Sequence, residues 1–439
     1  MVIQNRITNY ISFLFKMLKK HGIFGRKEQV KFFLRRHIDA EWVWKDVDQA
    51  EAKQLCREIC KQYSEIRLHI ITQSDRIGEY ISRYLVAVED SNNNAEKGIL
   101  DVFFLSDYIN HNSRLTTIMG RNIHIIDERN IDIWGFVLAH FPKVELYKYL
   151  SDYSVRKFLE RSLDPQNTAQ YLWLTPEEEE EAKRKKELMG IHDTYVCVSS
   201  RDASYLATAQ PDVDNSYNDY RDSDINNIDL AANYLADKQI MTVRMGRYVR
   251  DKADLGNCID YANKYYDELM DIALMKECKF YVGDASGLAV IPETLNVPCA
   301  LKNVVPIFLD GWRAVPQNPL NLFIFKKYYS KGKNRFLSIS EIVEIDQIVT
   351  QCGNDINKKY VELGIEIIDN SAEEILDLVM EMNARLDGEW VETEEDIELQ
   401  NKYRGIFNQW VERWHYDQCA VLQANIGALF LRKNSFLLD

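Results

Sequence analysis

Short apolar runs that alternate with stretches of helical spacing constrain this chain more than any other feature. Residues 66–71, 100–105 and 123–126 form three such runs, and 79–88 carries helical spacing between the first two. Apolar runs of this length, separated by helical segments, mark the strands of a parallel sheet built from βαβ units. After a connection over 160–175 the pattern resumes. Strands are expected at 195–199, 240–244, 279–283 and 298–301, with helices at 228–237, 267–276 and 288–296. The fold class is therefore α/β, with two Rossmann-like domains at 64–174 and 175–370. A chain of 439 residues exceeds what one hydrophobic core organises. A helical segment over 1–63 and a helical region over 371–439 complete the chain, and the latter is expected to pack back on the first domain.

The second domain opens with a clear helix start. Thr175 suits an N-cap, Pro176 the first helical position, and the acidic run after it faces the positive helix end. Gly190 suits the C-terminal cap. The acidic run is thus a solvated helix start. Net charge is −14, which argues against a dedicated nucleic-acid binder. Yet residues 1–40 hold nine Lys or Arg against two acidic residues. With Ile7, Ile11, Leu14 and Leu18 at helical spacing, residues 1–36 could lie on an anionic membrane surface; packing against the body of the protein is the plainer alternative. The segment lacks the form of a signal peptide. No apolar stretch is long enough to span a bilayer. Eight scattered cysteines, none in a C-x-x-C pair, fit reduced thiols in the cytoplasm. A cytoplasmic protein, peripheral at the inner membrane face at most, is expected.

Open parallel sheets bind ligands beyond the carboxyl ends of their strands. In the second domain those positions hold Ser200-Arg201-Asp202, Arg244-Met-Gly246-Arg247 and Gly283-Asp-Ala-Ser286-Gly287. Arginine offers a two-pronged contact to phosphate. Gly246 permits a tight turn. Ser286 and Gly287 would begin a helix whose backbone N–H groups attract an anion. Together Ser200, Arg201, Asp202, Arg244, Gly246, Ser286 and Gly287 suit a diphosphate without a metal ion, since two arginines and a helix N-terminus would already supply the positive charge. The first domain offers Asp75, Glu79, Asp107, His111 and Asp127 as candidate proton acceptors. Each is equally readable as a loop cap, and the sequence does not separate them.

These residues also carry a resemblance. Arg201-Asp-Ala-Ser-Tyr-Leu206, Arg221-Asp-Ser-Asp224, Thr242-Val-Arg-Met-Gly-Arg247 and Cys278-Lys-Phe-Tyr281 occur in order. Ser286-Gly-Leu288, Lys326-Lys-Tyr-Tyr-Ser330 and Asn334-Arg-Phe-Leu337 continue the series. Over about residues 66–439 the chain resembles a group of bacterial glycosyltransferases found among surface-polysaccharide genes, and is distantly similar to fucosyltransferases. The resemblance implies a GT-B architecture: two facing Rossmann-like domains with the active site in their cleft. It implies Arg201 and Ser286 as contacts to the donor diphosphate. A nucleotide sugar is then the co-substrate, a glycan or lipid-linked molecule the acceptor, and no resident cofactor is needed. Asp284 departs from the pattern, because relatives place a small hydroxyl residue there and an acid would repel a diphosphate. Two other readings remain: a sugar-nucleotide epimerase-like enzyme, and a non-catalytic binding protein that kept the fold.

Overall fold

A computed structural model describes residues 49–71, 76–105, 112–127, 129–146, 168–250, 255–256, 258–307, 318–413 and 424–439. The chain divides into two compact units, 1–112 with 119–154 and 113–118 with 155–439. The basic segment 1–36 lies outside the described residues. Of the helical segment expected over 1–63, the described part holds α1 (Gln49–Gln62).

The first unit continues with β1 (Glu65–Ile71), α2 (Ile77–Ala95) and β2 (Ile99–Leu105). Beyond α3 (Ser113–Met119), most of which belongs to the second unit, come β3 (His124–Ile126), α4 (Ile131–His140) and β4 (Val144–Leu146). The strands pair in parallel in the order β3-β2-β1-β4. Ile66, Leu68, Leu100, Val102 and Phe104 meet Trp134, Val137 and Leu138 of α4 in one buried cluster, which Ile59 of α1 joins. Val144-Glu-Leu146 is too short to have shown as a strand; it becomes one by pairing with β1.

The second unit starts with α5 (Pro176–Leu188). Thr175 and Glu178 form a reciprocal capping box with Pro176 in the first turn. At the other end Gly190 takes φ +75°. The Ile191 N–H reaches the Lys186 carbonyl at 2.9 Å, and the Gly190 N–H reaches Glu187 at 3.0 Å, which closes the helix as a Schellman cap. There follow β5 (Tyr195–Val198), α6 (Ser204–Ala209), α7 (Asp229–Asp237), β6 (Met241–Arg244) and β7 (Cys258–Ile259). Then come α8 (Tyr261–Lys264), α9 (Met270–Glu277), β8 (Tyr281–Asp284), α10 (Val290–Thr294), β9 (Cys299–Val304) and β10 (Leu322–Phe325). The helix expected over 288–296 is instead a 3-10 turn, Gly287–Ala289, running into the short α10. Pro292 adds no N–H donor to it.

A small antiparallel sheet has the order β12-β11-β13, from β11 (Lys327–Ser330), β12 (Arg335–Phe336) and β13 (Ile365–Ile368). Helices α11 (Ile339–Thr350) and α12 (Ile356–Glu362) precede β13. The chain ends through α13 (Ala372–Leu386), α14 (Glu394–Arg413), β14 (Asn425–Ile426) and α15 (Ala428–Lys433). The described residues of this region are part of the second unit. Helix α13 packs on α7, β9 and β10, and β14 pairs with β10. The apolar stripe Ile375, Leu378, Val379 and Met382 is buried there. The described part of the connection, from 168, also belongs to this unit, and the Thr168 hydroxyl donates to the Thr294 carbonyl at 2.9 Å.

The main sheet of the second unit is parallel throughout, in the order β14-β10-β9-β8-β5-β6-β7. Read from β7, this is the doubly wound order 3-2-1-4-5-6 with one strand added. Every residue of β5, β8, β9 and β10 is buried, as a parallel sheet covered on both faces requires.

Candidate functional site

Strand β5 lies between β6 and β8, so the strand order reverses at its carboxyl end. That crevice is where an open α/β sheet takes its ligand. The chain leaves β5 through Ser199, Ser200 and Arg201, and leaves β8 through Asp284, Ala285 and Ser286. The two exits are bonded to each other. The Arg201 N–H donates to Asp284 Oδ2 at 2.5 Å, and the hydroxyls of Ser199 and Tyr281 meet at 2.5 Å. Gly283 makes the second contact possible, since a Cβ there would fall on the Tyr281 ring and 2.9 Å from Ser199 Oγ. Burial pushes the Tyr281 phenol far above its ordinary range, so it stays neutral.

Asp284 is the centre of this wall. Lys302 Nζ donates to Asp284 Oδ1 at 2.7 Å, to Ser200 Oγ at 2.9 Å and to Ser223 Oγ at 3.0 Å. Ser223 Oγ donates in turn to Asp284 Oδ2 at 2.7 Å. Lys302 is 0% exposed and Asp284 2%. The acid that seemed to oppose an anion is therefore neutralised by a buried ammonium, and it shapes the loop instead of facing a ligand.

Arg201 lies above this layer. One guanidinium nitrogen donates to the Asn218 carbonyl at 3.1 Å and to the Asp222 carboxylate. Burial, and next the charge of Arg221, hold its pKa below the ordinary arginine value. Arg221 Nη2 donates to the Ala285 carbonyl at 2.7 Å, on the loop after β8. Burial pushes the Asp222 carboxyl up to about 6 despite Arg201's opposing pull. The 3-10 turn Ser216–Arg221 that carries these groups is fastened from below. Lys326 Nζ donates to the carbonyls of Tyr220 at 3.0 Å and Asp222 at 2.7 Å, and pairs with Asp369 at 2.8 Å.

The other expected donor residues fall into place differently. Asp202 accepts from the N–H groups of Ser204 at 2.7 Å and Arg250 at 3.0 Å, tying the β5 and β6 exits together. Arg244 is 3% exposed and pairs with Asp260 at 3.8 Å. A charge at that depth needs such a partner. Gly246 does take a turn conformation closed to other residues, with φ +143° and Val249 Cγ1 2.8 Å from where a Cβ would sit. Ser286 and Gly287 begin only the short 3-10 turn, so the expected helix N-terminus is one short turn.

In the first unit Glu79 lies in the first turn of α2 and pairs with Arg83 at 3.4 Å. Asp127 follows β3, is 4% exposed, and accepts from the Arg129 N–H at 2.9 Å and Nε at 2.8 Å. Its carboxylate is thus committed to a turn. Asp75, Asp107 and His111 lie outside the described residues. Asp222, Ser223, Arg221, Lys302 and Tyr281 were given no role by sequence reasoning. Lys302 had a signal: it interrupts the apolar run Cys299-Ala-Leu301, and a lysine there must be paired.

A polar cavity of about 580 Å³ opens at the opposite edge, by the amino end of β5, lined by Lys186, His192, Asp193, Glu277, Lys279 and others. Its cations are committed, Lys186 to Glu277 and Lys279 to Asp387 at 2.7 Å. Among the described residues no helix is long and apolar enough to cross a membrane, and no group of three or more His, Cys, Asp or Glu is placed to hold a metal ion.

No protein-family model and no curated protein matches this sequence. Among solved structures the chain is similar to the crystal structure of the glycosyl transferase family 9 from Veillonella parvula DSM 2008. That likeness has 11% identity and a TM-score of 0.31, over 56% of this chain and 82% of that one.

Proposed function

We propose that the protein is a glycosyltransferase that takes a sugar from a nucleotide diphosphate donor held at the switch point of the second unit. The observation that carries this reading is the pair of guanidinium groups, Arg201 and Arg221, beside the crevice between β5 and β8. The ordered motifs shared with bacterial glycosyltransferases support it. In such a transfer an acceptor hydroxyl gives its proton to a base as its oxygen bonds to the sugar carbon. The bond from that carbon to phosphate breaks, and the nucleoside diphosphate leaves with the electron pair. Fixed cations stabilise the charge that gathers on it. Arg201 and Arg221 fill this role without a metal ion. The acceptor is a glycan or a lipid-linked molecule of surface-polysaccharide synthesis, and the first unit supplies the base in the GT-B manner. Residues 1–36 then hold the protein peripherally at an anionic membrane surface.

The test is thermal stabilisation by GDP, UDP, CMP and dTDP, since a ligand of the native state raises apparent stability. The best of these names the donor for a turnover assay run with and without EDTA. We expect one nucleoside diphosphate to stabilise the protein and Arg201→Ala to weaken its binding by about 2–5 kcal/mol. Unchanged affinity in the folded variant rejects the assignment of Arg201. Binding with no transfer to any acceptor favours the non-catalytic reading. Activity lost in EDTA and restored by magnesium rejects the metal-free mechanism.

A further inference from the structure

One carboxylate is seated on the Arg201 guanidinium. The Asp222 side chain bonds the Arg201 guanidinium, 22% and 14% exposed respectively. The backbone around it is pinned on both sides. Lys326 holds the Asp222 carbonyl at 2.7 Å, and the Ser223 N–H donates to the Arg201 carbonyl at 3.0 Å. Only the Asp222 side chain is left to turn about its own bonds. The charges near it are mixed: Arg201 and Arg250 attract it, while Asp219 and Asp202 repel it. The next residue back, Arg221, adds a second guanidinium close to Arg201.

We propose that Asp222 is a built-in stand-in for the donor's phosphate, seated on Arg201 while the site is empty and displaced by a diphosphate. This rests on the reading of Arg201 as the anion contact. Displacement has a cost, since the expelled carboxylate loses its guanidinium and keeps Asp202 and Asp219 as neighbours. A diphosphate bridging Arg201 and Arg221 offsets that cost with two charge-assisted contacts, whereas a single small anion has only one. Asp222 is thereby a specificity-determining residue: it admits ligands of high charge and turns away singly charged ones. It also keeps two like-charged guanidinium groups from facing each other alone.

Titration calorimetry with inorganic pyrophosphate and with chloride-displacing acetate as probes, on the full chain and on Asp222→Asn, decides this. The neutral amide keeps the shape and drops the charge. We expect Asp222→Asn to bind pyrophosphate on the order of tenfold more tightly at pH 8, and to bind acetate where the parent protein does not. The ratio of the two pyrophosphate affinities should fall toward one as pH drops below about 6, where Asp222 becomes protonated in the parent. The ratio cancels the probe's own titration. Equal affinities at pH 8, with Arg201→Ala still weakening both, overturn the stand-in and leave the Arg201 reading intact. Weaker binding by Asp222→Asn also overturns it, because the carboxylate then supports the seat. Binding by neither protein defeats both readings. Circular dichroism of the variant confirms its fold before any comparison is made.

Discussion

Lys302 and Asp284 show how much of the site's chemistry is spent on holding its own shape. Both are buried, and their ion pair at 2.7 Å is completed by Ser200 and Ser223. Removing one partner of such a pair leaves an uncompensated buried charge, which costs about 3–5 kcal/mol. Lys302→Met is expected to lose stability of that order in urea unfolding. Adding Asp284→Asn to it should restore a large part, because the orphaned carboxylate is then gone. If the double variant is as unstable as the sum of the two singles, the pair is not the coupled unit described here. The same residues explain why the sequence was misleading at position 284. An acid beside a phosphate site reads as repulsive until its counter-ion is known, and that counter-ion is eighteen residues away in sequence on the neighbouring strand.

Among the elements, the strands that alternate with helices were legible because burial on both faces writes them as apolar runs. The runs at 66–71, 195–199 and 240–244 match β1, β5 and β6 to within a residue. The helix at Pro176 was legible because its capping box and Schellman close are local devices. Two-residue strands such as β7 and β14 are set by pairing at a distance and left no such mark. Leu322–Phe325 is an apolar run that was there to be read. At the site, Arg201 and Gly246 were legible from their place after strands. Asp222 was not, since nothing local ties it to Arg201. Strand β8 offers a test at this scale. Gly283→Ala would drive a methyl group onto Tyr281 and separate it from Ser199. It is expected to destabilise the protein by about 1–3 kcal/mol and to weaken nucleotide binding, because overpacking moves both walls of the crevice. A variant with full stability and full affinity would mean that the Tyr281–Ser199 contact does not shape the site.

For the whole molecule, the two units divide the proposed work. The proposed function assigns the donor to the second and the proton acceptor to the first, from among Asp75, Glu79, Asp107, His111 and Asp127. Asp127 is bound to Arg129 and Glu79 to Arg83. Loss of the base should lower turnover about 10²–10⁴-fold while donor affinity stays near normal. Single substitutions at the five positions, each assayed for nucleotide binding and turnover, check this. If all five keep near-normal turnover, the first unit does not supply the base.

The seventh strand of the large sheet has a consequence for the order in which the protein comes into being. β14 joins β10 from residues 425–426, after α13 and α14 have already passed. Domains tend to fold as they leave the ribosome, amino-terminal first. The first unit has all its described strands by residue 146 and can close early. The second must wait with the β10 edge open until Asn425 and Ile426 have been made. During synthesis, then, an exposed parallel edge next to the most apolar strand, Leu-Phe-Ile-Phe, is the interval in which a nascent chain is most open to pairing with a neighbour.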